Sequence, residues 1–531
     1  MIPKLIGSGI VLVLFLALFI RLTVFSADKV TRMKWRSQFR MKPGEGFASH
    51  WDILFQHSRW AMIVKARHGR PDMGHRQRVF SPARHYAVRL GRANAGRKVF
   101  SSYENMLGII APPRTSKTRY LTDLVYGHPG AVLSTSTRPD VYRRTVAKRT
   151  RLGPVYVFNP EDLGGIESTF RIDIVSICID PDLASKTAAA MVGPTDGFGE
   201  NKFWADKAKQ ALGGLLHAAA LYGYDISAVV RWGNRQGDFE VKNAFKIPGA
   251  NLETLGHAMS LQEDSKGASS VRMFLAEALA WAAIPSLRHM VSGNGLITFD
   301  AERWAEDKGT IYMINSGEDS VAAPLFRVIV DRVFRECVHA GSMYPSGKLP
   351  VPVGFYLDEL TQICSVAINK WLAFAGGSGI FICYVTHTPS QLVEVYGEAS
   401  ARTIWQLTGV KLLLWGSSDG ELMEEVSKVL GETSEEKPVR KVPVEFIRRL
   451  PRGRGLVVSA NHRPVVVKVR PLQHRLSHRL GMAPKLPVAL PIPEQLVLVS
   501  EVLVPESEPV QEAIVVDLPE RGEQEDGEQA A

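Results

Sequence analysis

The sequence predicts an α/β fold in which a parallel sheet is interrupted by an all-α domain. From Tyr103 onwards, short apolar segments alternate with helical ones, and β-α-β alternation is typical of a parallel sheet with crossover helices. Residues 182–297 show helical periodicity and few strand signals. Sheet-type segments then return between residues 309 and 469. The predicted sheet is therefore built from two parts of the chain, with the helices inserted between them.

A transmembrane anchor is predicted for residues 1–27. Leu5–Phe25 is almost entirely apolar and, at roughly 20 residues, long enough to cross a bilayer as a helix. Six Lys and Arg residues follow between positions 29 and 42. The positive-inside rule therefore predicts a single-pass protein of the cell membrane with the bulk of the chain in the cytoplasm. A cleaved signal peptide is the alternative, but no small-residue cleavage site is evident and the charge lies on the wrong side.

The composition is basic, with a formal net charge of +10 over 531 residues and a pI near 9.3. This balance favours nucleic acid or an anionic membrane surface as a partner. Residues 28–100 are rich in Arg and Lys, and we assign them to a basic juxtamembrane segment. Weak strand signals appear in it near Tyr86–Leu90 and Lys98–Phe100. Contact with lipid or DNA and a solvated linker are both open for this segment. The four cysteines are widely separated in apolar surroundings, which predicts buried free thiols and neither a zinc site nor a disulfide framework.

A candidate phosphate-binding loop follows the first strand of the predicted sheet. Met106–Ala111 is a short apolar strand, and Lys117-Thr118 opens a helix, which is the order of the P-loop pattern G-x-x-x-x-G-K-[ST]. In that loop, backbone N–H groups, the Lys and the hydroxyl hold nucleotide phosphates and Mg²⁺. Ala111 and Ser116 stand at the two glycine positions. The candidate nucleotide-binding residues are Ala111, Pro112, Pro113, Arg114, Thr115, Ser116, Lys117 and Thr118.

Two further buried strands are predicted after this loop, at Gly130–Ser134 and Val155–Phe158, with a helix at Val141–Arg151 between them. Ligands of parallel sheets bind outside the carboxyl ends of the strands. Asp140 and Asn159 lie in that zone, and we interpret them as loop or cap residues.

The inserted domain is predicted to contain four helices, Asp182–Met191, Lys202–Gly223, Asn251–Met259 and Ala268–His289. Apolar residues recur at helical spacing from Phe203 to Tyr222, which indicates one broad buried face that includes Phe203. We interpret Trp204 as a core residue. The strands expected after the insertion are Gly309–Asn315, Val353–Leu357, Gly379–Val385, Lys411–Trp415, Leu456–Ser459 and Val465–Val469.

A second chemical motif lies at residues 352–362, PVGFYLDELTQ, where an apolar strand runs directly into Asp358-Glu359. This is the construction of a Walker B element, which brings two carboxylates to the same sheet edge as the P-loop. Asp358 is expected to hold Mg²⁺ directly or through water. Glu359 is expected to orient or deprotonate the attacking water.

Polar residues also follow the next buried strand, in YVTHTPSQ at positions 384–391. A polar residue at such a strand end can sense the γ-phosphate, and His387 and Gln391 are the candidates. The alternative is a helix N-cap at Thr388 or Ser390 without nucleotide contact.

These motifs, taken in order over roughly residues 100–470, resemble the type IV secretion coupling proteins. Those proteins are membrane-anchored conjugative DNA-transfer ATPases of the TraG/TraD kind, and they are related to FtsK-type translocases. The segments that carry the resemblance are IIAPPRTSKT, AVLSTSTRPD, GPVYVFNP, FWADKAKQALGGLLHAAAL, DKGTIYMINS, FYLDELTQI, TPSQLVEVYG, VKLLLWGSSDGE and VSKVLGE.

The resemblance implies a RecA-like motor domain that carries an all-α domain and assembles as a homo-hexameric ring at the inner face of a membrane. Such a ring would use ATP and Mg²⁺ to drive single-stranded DNA, or a relaxase bound to DNA, into a secretion channel. It implies that Lys117 contacts the β- and γ-phosphates, that Thr118 and Asp358 hold Mg²⁺, and that Glu359 is catalytic. It also implies that channel subunits and relaxosome proteins are partners.

The implied domain boundaries follow the change of pattern along the chain. The assignments are an anchor (1–27), a basic segment (28–100), the first part of the RecA-like domain (101–181), the all-α domain (182–297), the second part of the RecA-like domain (298–475) and a Pro-rich, acidic tail (476–531). The tail has low aromatic content and is predicted to be disordered.

The chain departs from the family pattern at several positions. Family members commonly have Gly where this chain has Ala111 and Ser116, and a Ser at 116 adds a Cβ where the backbone approaches phosphate and a positive φ is favoured. The usual Gln of the sensor position falls near His387. Many members have two transmembrane helices, and one is predicted here. An arginine finger is expected in trans, for which the sequence offers Arg402, Arg448 and Arg449.

Two other functions compete with the DNA-transfer motor. One is a non-hydrolysing membrane scaffold that recruits relaxosome or secretion proteins, which the loss of both P-loop glycines favours. The other is an FtsK-type double-stranded DNA translocase. A translocase of that type carries a sequence-reading domain at its C-terminus, and the acidic tail offers none.

Overall fold

The computed structural model describes residues 47–93, 96–259, 261, 266–291, 300–317, 320–416, 420, 423–424, 427, 444–460 and 462–469. These residues all belong to the first of two compact units, residues 1–499. The predicted anchor, the start of the basic segment and the acidic tail lie outside the described residues. Within the described residues, no helix is both long enough and apolar enough to span a bilayer.

One sheet organises the described part of the chain. Its strands are β1 (Ala87–Arg92), β2 (Lys98–Ser102), β3 (Leu107–Ile110), β4 (Val132–Ser136), β5 (Val155–Phe158), β6 (Thr310–Ile314), β7 (Val353–Leu357), β8 (Ile380–Thr386), β9 (Val410–Leu414), β10 (Arg454–Ser459) and β11 (His462–Lys468). Their spatial order is β2-β1-β11-β10-β9-β3-β8-β7-β4-β6-β5.

Neighbouring strands from β9 to β5 in this order are parallel, as the alternation of strands and helices predicts. Strand β3, which leads into the candidate P-loop, lies between β9 and β8. Strand β7, which leads into Asp358-Glu359, pairs with β8 on one side and β4 on the other. The carboxyl ends of β3, β8 and β7 are therefore consecutive along one edge of the sheet, which is where parallel sheets bind ligands.

The other part of the sheet is antiparallel and is formed by β10, β11, β1 and β2. The weak strand signals in the basic segment thus mark strands of the same sheet, and the boundary proposed after residue 100 falls within β2. Strand β1 reaches the sheet by pairing Arg92 with Lys468 of β11. A pairing between such distant parts of the chain leaves no local signal, which is why the sequence suggested a separate segment.

The α-helices of the described residues flank the sheet or form the insertion. They are α1 (His50–Asp52), α2 (Arg59–Gly69), α3 (His75–Phe80), α4 (Lys117–Gly127), α5 (Asp140–Arg149), α6 (Pro181–Val192), α7 (Lys202–Tyr222), α8 (Ile226–Gly233), α9 (Asp238–Ala244), α10 (Leu252–Met259), α11 (Lys266–Leu279), α12 (Pro285–His289), α13 (Ala301–Glu306), α14 (Ala323–Met343), α15 (Leu360–Ile363), α16 (Ile368–Trp371), α17 (Pro389–Leu407) and α18 (Val444–Arg448).

The insertion contains two helices that the sequence did not predict, α8 and α9, and it differs from the prediction in two further details. The helix expected over Ala268–His289 is divided into α11, a 3₁₀ turn (Ala280–Ala283) and α12, because Pro285 forces the preceding Ile284 out of the helical conformation. Phe203, placed by its spacing on the buried face of α7, is 57% exposed. It lies in the first turn, where it contacts Trp204 edge to face, and Trp204 itself packs against the core as predicted.

The inserted helices share a hydrophobic core with one face of the sheet. Leu133 of β4 and Phe158 of β5 belong to the same buried cluster as Leu212 of α7 and Trp281 of the 3₁₀ turn. The opposite face packs against α4 and α5, with Val132 next to Leu133 pointing into that second core.

Helix α17 connects the insertion to the sheet edge that carries the site. It begins directly after β8 and is interrupted at Gly397, where φ is +72°. A Cβ at this glycine would lie 2.6 Å from the carbonyl oxygen of Asp196, in the loop before α7. The Ser400 hydroxyl donates a 2.8 Å hydrogen bond to Asp196 Oδ2. These contacts hold the insertion against α17, the helix that follows β8.

Candidate nucleotide-binding site

The loop between β3 and α4 is the candidate phosphate-binding loop, and it contains two residues in the left-handed conformation. Ala111 is fully buried, and its N–H donates to the carbonyl oxygen of Thr386 on β8 at 3.1 Å. Arg114 and Ser116 have left-handed φ angles of +65° and +67°. Side chains with a Cβ resist this conformation by about 1–2 kcal/mol per residue. Ser116 therefore occupies the conformation that the glycine of the pattern normally adopts.

Local hydrogen bonds hold the rest of this loop. The Thr115 side chain is buried, and its hydroxyl donates to the carbonyl oxygen of Pro112 at 2.6 Å. Pro113 and Arg114 are exposed at the tip. Helix α4 begins at Lys117, and its first turn is closed by the bond from Tyr120 N–H to the carbonyl oxygen of Ser116. The loop thus places Lys117 and Thr118 at a helix N-terminus, where the backbone favours anions.

Lys117 lies at the centre of a three-residue cluster whose members follow three different strands, β3, β7 and β8. Its Nζ is 2.7 Å from Glu359 Oε1, which comes from the end of β7. The same Nζ lies 3.1 Å and 3.2 Å from the two ring nitrogens of His387, which follows β8. His387 Nε2 is 3.9 Å from Glu359 Oε1. One cation, one carboxylate and one imidazole therefore share a partly enclosed position at the sheet edge.

Thr118 and Asp358 form a second, adjacent pair. The Thr118 hydroxyl donates to Asp358 Oδ2 at 3.0 Å, and Asp358 is 1% exposed. The other carboxylate oxygen of Asp358, Oδ1, is buried and has no hydrogen-bond partner in the described part of the chain. Burial raises the pKa of Asp358 to about 6, against the opposing effect of Lys117. A buried carboxylate oxygen without a partner, next to a hydroxyl, fits the hard oxygen ligands that Mg²⁺ prefers.

The protein by itself supplies too few ligands for a closed metal site. Within the described residues, no group of three or more His, Cys, Asp and Glu side chains is arranged to hold a metal ion. Mg²⁺ typically uses one or two protein carboxylates and completes its octahedron with water and substrate phosphates. Thr118 and Asp358 correspond to that kind of shared site.

Glu359 is held in a strained conformation. Its φ and ψ are +48° and +53°, in the left-handed region, at the start of α15. The preceding carbonyl oxygen, that of Asp358, accepts a 3.4 Å hydrogen bond from the Thr135 hydroxyl of the neighbouring strand β4. Strain in a non-glycine residue costs on the order of 1–3 kcal/mol and persists only where the surrounding structure imposes it. Here it turns the Glu359 side chain towards Lys117.

His387 and Gln391 play different parts at the end of β8. His387 Nδ1 lies 3.2 Å from the carbonyl oxygen of Ala111, so its ring faces the P-loop. Gln391 Oε1 accepts hydrogen bonds from the His387 N–H at 3.0 Å and from the Thr386 hydroxyl at 3.1 Å. Gln391 thus holds the backbone of His387 and leaves its ring facing the P-loop. Thr388 stands at the N-cap position of α17, as the alternative interpretation expected, although its side chain makes no capping hydrogen bond, and Ser390 lies inside the helix.

Asn159 and Asp140 are the two residues that the sequence analysis interpreted as loop or cap residues. Asn159 bridges its own loop, with its side-chain amide donating to the carbonyl oxygens of Leu163 and Ile166 and its Oδ1 accepting from Leu163 N–H. Asp140 is an exposed residue that starts α5. Both agree with the loop or cap interpretation.

The arginine-finger candidates lie away from this cluster in ion pairs of their own. Arg402 pairs with Glu398 at 2.8 Å, and Arg448 and Arg449 both lie beside Glu445. A role in trans stays a prediction for all three. Thr135 and Thr386 were not predicted as site residues, although the polar run after β4 and the polar end of β8 are visible in the sequence.

The comparisons with known proteins point to one family. Residues 352–441 match the family model described as "TraM recognition site of TraD and TraG". This range starts just before β7 and includes Asp358, Glu359, His387 and Gln391. The chain resembles the type IV secretion coupling proteins. That likeness was predicted from the motifs, and it is confirmed.

Solved structures of the coupling protein TrwB share the fold. TrwB in complex with ADP and Mg²⁺ has a TM-score of 0.57 and 19% identity, covering 72% of this chain and 89% of that chain. The unbound TrwBdeltaN70 structure has a TM-score of 0.57 and 18% identity, covering 78% and 92%. The complex with the GTP analogue GDPNP has a TM-score of 0.56 and 20% identity, covering 69% and 86%. A comparison with the curated proteins gives no match.

The likeness to TrwB establishes the large α/β sheet with its helices, the RecA-like fold that the motifs imply. It spans most of the TrwB chains, so the shared fold is not limited to the segment that the family model matches. In this sheet, β8 lies between β3, which leads into the candidate phosphate-binding loop, and β7, which leads into Asp358-Glu359.

Proposed function

We propose that this protein is an ATP-driven coupling protein that moves single-stranded DNA, or a relaxase bound to DNA, into a type IV secretion channel. The observation that carries the proposal is the meeting of Lys117, Thr118, Asp358, Glu359 and His387 at one sheet edge. Structures of TrwB, a protein of this fold, in complex with ADP and Mg²⁺, with ADPNP and with GDPNP support the proposal of nucleotide binding.

In this proposal, nucleotide binding rearranges the Lys117–Glu359 pair. Without nucleotide, the two side chains neutralise each other at 2.7 Å. The β- and γ-phosphates carry more negative charge than Glu359 and attract Lys117 away from it. Glu359 is then free to accept a hydrogen bond from the attacking water and to orient it in line with the γ-phosphate.

Thr118 and Asp358 would hold Mg²⁺ in the same arrangement. The Thr118 hydroxyl, now bonded to Asp358 Oδ2, would turn its oxygen towards the metal, and Asp358 would contribute the oxygen that has no partner. Mg²⁺ neutralises the charge that develops on the phosphate oxygens. His387 would sense the γ-phosphate, because its ring already contacts Lys117 and the P-loop carbonyl of Ala111.

The sensor is connected to the part of the molecule proposed to receive the substrate. Helix α17 starts just after His387 and meets the insertion at Gly397 and Asp196. A change at His387 therefore has a short mechanical route to the all-α insertion. We further propose a homo-hexameric ring, anchored through residues 1–27 in the cell membrane, with the insertion on the cytoplasmic side.

Partners are proposed from the family model. Its description names TraM recognition by TraD and TraG, and it matches residues 352–441 of this chain. We propose that this chain binds a relaxosome protein of the TraM kind, and that channel subunits contact the membrane-proximal part.

ATP hydrolysis by the full-length protein, with and without single-stranded DNA, tests the motor. We expect hydrolysis that single-stranded DNA stimulates and that Lys117→Ala and Glu359→Gln abolish. The matched control is Asp307→Asn, which removes the same charge from an exposed ion pair with Arg303. Unchanged hydrolysis in Lys117→Ala and Glu359→Gln would refute the assignment, and stimulation by double-stranded DNA alone would favour the FtsK-type alternative.

A non-hydrolysing scaffold is the second candidate, and the conformation of Ser116 favours it. The left-handed φ of +67° places a Cβ in the loop where the family has glycine. Ser116→Gly separates the two functions. A rise in hydrolysis from near zero would support the scaffold, whereas a modest rise from measurable turnover supports the motor.

A further inference from the structure

An unusual exposed surface lies on the helices before β1. Five large apolar side chains between residues 51 and 80 are between 66% and 84% exposed; they are Trp51, Phe55, Trp60, Val64 and Phe80. We call them the aromatic patch. Large apolar side chains grouped in this way mark interaction sites, whereas single ones are ordinary.

The members of the aromatic patch are held close to one another. The Trp51 and Phe55 rings stack with their centroids 5.9 Å apart. Trp60 and Val64 are one turn apart on α2 and so lie on the same side of that helix. The Arg59 guanidinium donates to the carbonyl oxygens of Val79 and Ser81, which fixes Phe80 beside the first turn of α2.

Helix α2 is apolar on two sides. Met62, Ile63 and Ala66 are buried and pack with Phe100 of β2. Trp60 and Val64 are left outside this core. The exposed apolar side is therefore additional to the one that folding requires.

The charge around the aromatic patch is strongly positive. Residues 47–100 contain eleven Lys and Arg but only two Asp and Glu. Both acids are engaged, because Asp72 pairs with Arg70 at 2.7 Å and Asp52 accepts from Ser49 N–H at 2.8 Å. Arg67 on α2 and Arg76 on α3 are exposed. The surface thus combines exposed aromatic rings with exposed cations, of which Arg67 and Arg76 are two.

We propose that the aromatic patch docks on the surface of an anionic lipid bilayer. Trp and other amphipathic aromatic side chains favour the headgroup level, and nearby Lys and Arg side chains are attracted to an anionic leaflet. The upstream sequence supports a bilayer as the occupant. Leu5–Phe25 and six cations precede the described chain, and Trp51 is within reach of Phe25 along the chain.

This contact is separate from nucleotide turnover and from the predicted anchor. A single apolar segment leaves a protein free to rotate about it, whereas a second contact fixes the orientation of the body. The aromatic patch would hold α2, and with it β2, against the membrane surface, because Met62, Ile63 and Phe100 join the two elements.

The test uses the full-length protein in lipid nanodiscs. All four native cysteines are buried, so a single exposed cysteine can be labelled selectively. Val64→Cys carries an environment-sensitive fluorophore, and spin-labelled lipids quench it on contact. The matched control is Met273→Cys on α11, which is 61% exposed in the insertion.

We expect quenching at position 64 that is at least about two-fold stronger than at position 273 in discs containing phosphatidylserine. Quenching should fall in phosphatidylcholine discs and after Trp51→Ser and Trp60→Ser together, with ATP hydrolysis in detergent unchanged. Equal quenching at the two positions would overturn the proposal. So would a label at position 64 that responds to protein concentration and not to lipid, because the aromatic patch would then be an interface between copies of this chain.

Discussion

Lys117 Nζ and Glu359 Oε1 form a 2.7 Å ion pair, and the two side chains are only 9% and 16% exposed. The two residues come from the P-loop and from the carboxylate strand, which are separated by β8 in the sheet. The cation proposed to bind phosphate is therefore held by the carboxylate proposed to orient the attacking water. On this proposal, phosphate and Glu359 compete for Lys117.

Glu359→Gln separates binding from turnover. We expect ATP hydrolysis to fall by about 100-fold or more, because the amide cannot act as a general base. ATP binding should persist or become several-fold tighter, since Lys117 no longer has a carboxylate competing with phosphate. Steady-state hydrolysis and equilibrium binding of a fluorescent ATP analogue measure the two effects. Loss of binding together with turnover would show that Glu359 has a mainly structural part.

Ser116→Gly should relieve backbone strain at the P-loop. Glycine adopts the observed φ of +67° without a Cβ penalty, so we expect the free energy of unfolding to rise by about 1 kcal/mol. ATP should also bind up to about five-fold tighter, because glycine removes the Cβ at the point where the backbone would approach phosphate. Denaturant unfolding and ATP binding provide the readouts. Ser116→Ala keeps the Cβ and is the control; an equal gain in that variant would exclude strain as the cause.

Asp358 gives the nucleotide-free protein a dependence on pH. Its pKa is raised to about 6 in the folded state, above the ordinary aspartate value of 3.8, so the folded protein binds this proton more tightly than the unfolded chain. The resulting stabilisation is fully present below about pH 4 and is lost as the pH rises through about 6. Asp358→Asn should therefore raise the thermal midpoint at pH 7 without Mg²⁺ or nucleotide, and raise it less at pH 5. A gain independent of pH would contradict the assignment.

His387 and Gln391 should differ in their kinetic signatures. His387→Ala removes the ring that contacts Lys117 and should lower kcat about ten-fold or more with little change in KM. His387→Gln restores a polar group and should recover much of that loss. Gln391→Ala removes the acceptor of the His387 N–H, so it should give a smaller loss of kcat. If Gln391→Ala raised KM more than His387→Ala did, Gln391 would be the residue that contacts nucleotide.

The sequence predicted the parallel part of the sheet well, because its strands are short apolar runs flanked by helices. Val353–Leu357 was expected at the residues where β7 is found. The Lys117-Thr118 and Asp358-Glu359 pairs were predicted to share one edge for the same reason: the carboxyl ends of parallel strands meet there. The long-range antiparallel pairing was harder to predict. The sequences of β1 and β2 give only weak strand signals, because these strands join the rest of the sheet by pairing with the distant strand β11.

The finer features of the site depended on tertiary structure. The spacing of residues cannot show that Gln391 hydrogen-bonds the His387 backbone, nor that Lys117 contacts Glu359 and His387 together. It also placed Phe203 inside, because helical periodicity identifies a face but not where that face ends. Ser116 has the positive φ that the sequence analysis expected at this position. The turn imposes this conformation on whichever residue stands there.

Binding of MgATP to the full-length protein tests the nucleotide site most directly. We predict binding by the unaltered protein with a dissociation constant on the order of micromolar, weakened about ten-fold or more by Lys117→Ala and by removal of Mg²⁺ with chelator. Thr118→Ala should reduce the effect of the chelator, because the hydroxyl that would share the metal is gone. Equal ATP binding by the unaltered protein and Lys117→Ala, with or without Mg²⁺, would contradict the account.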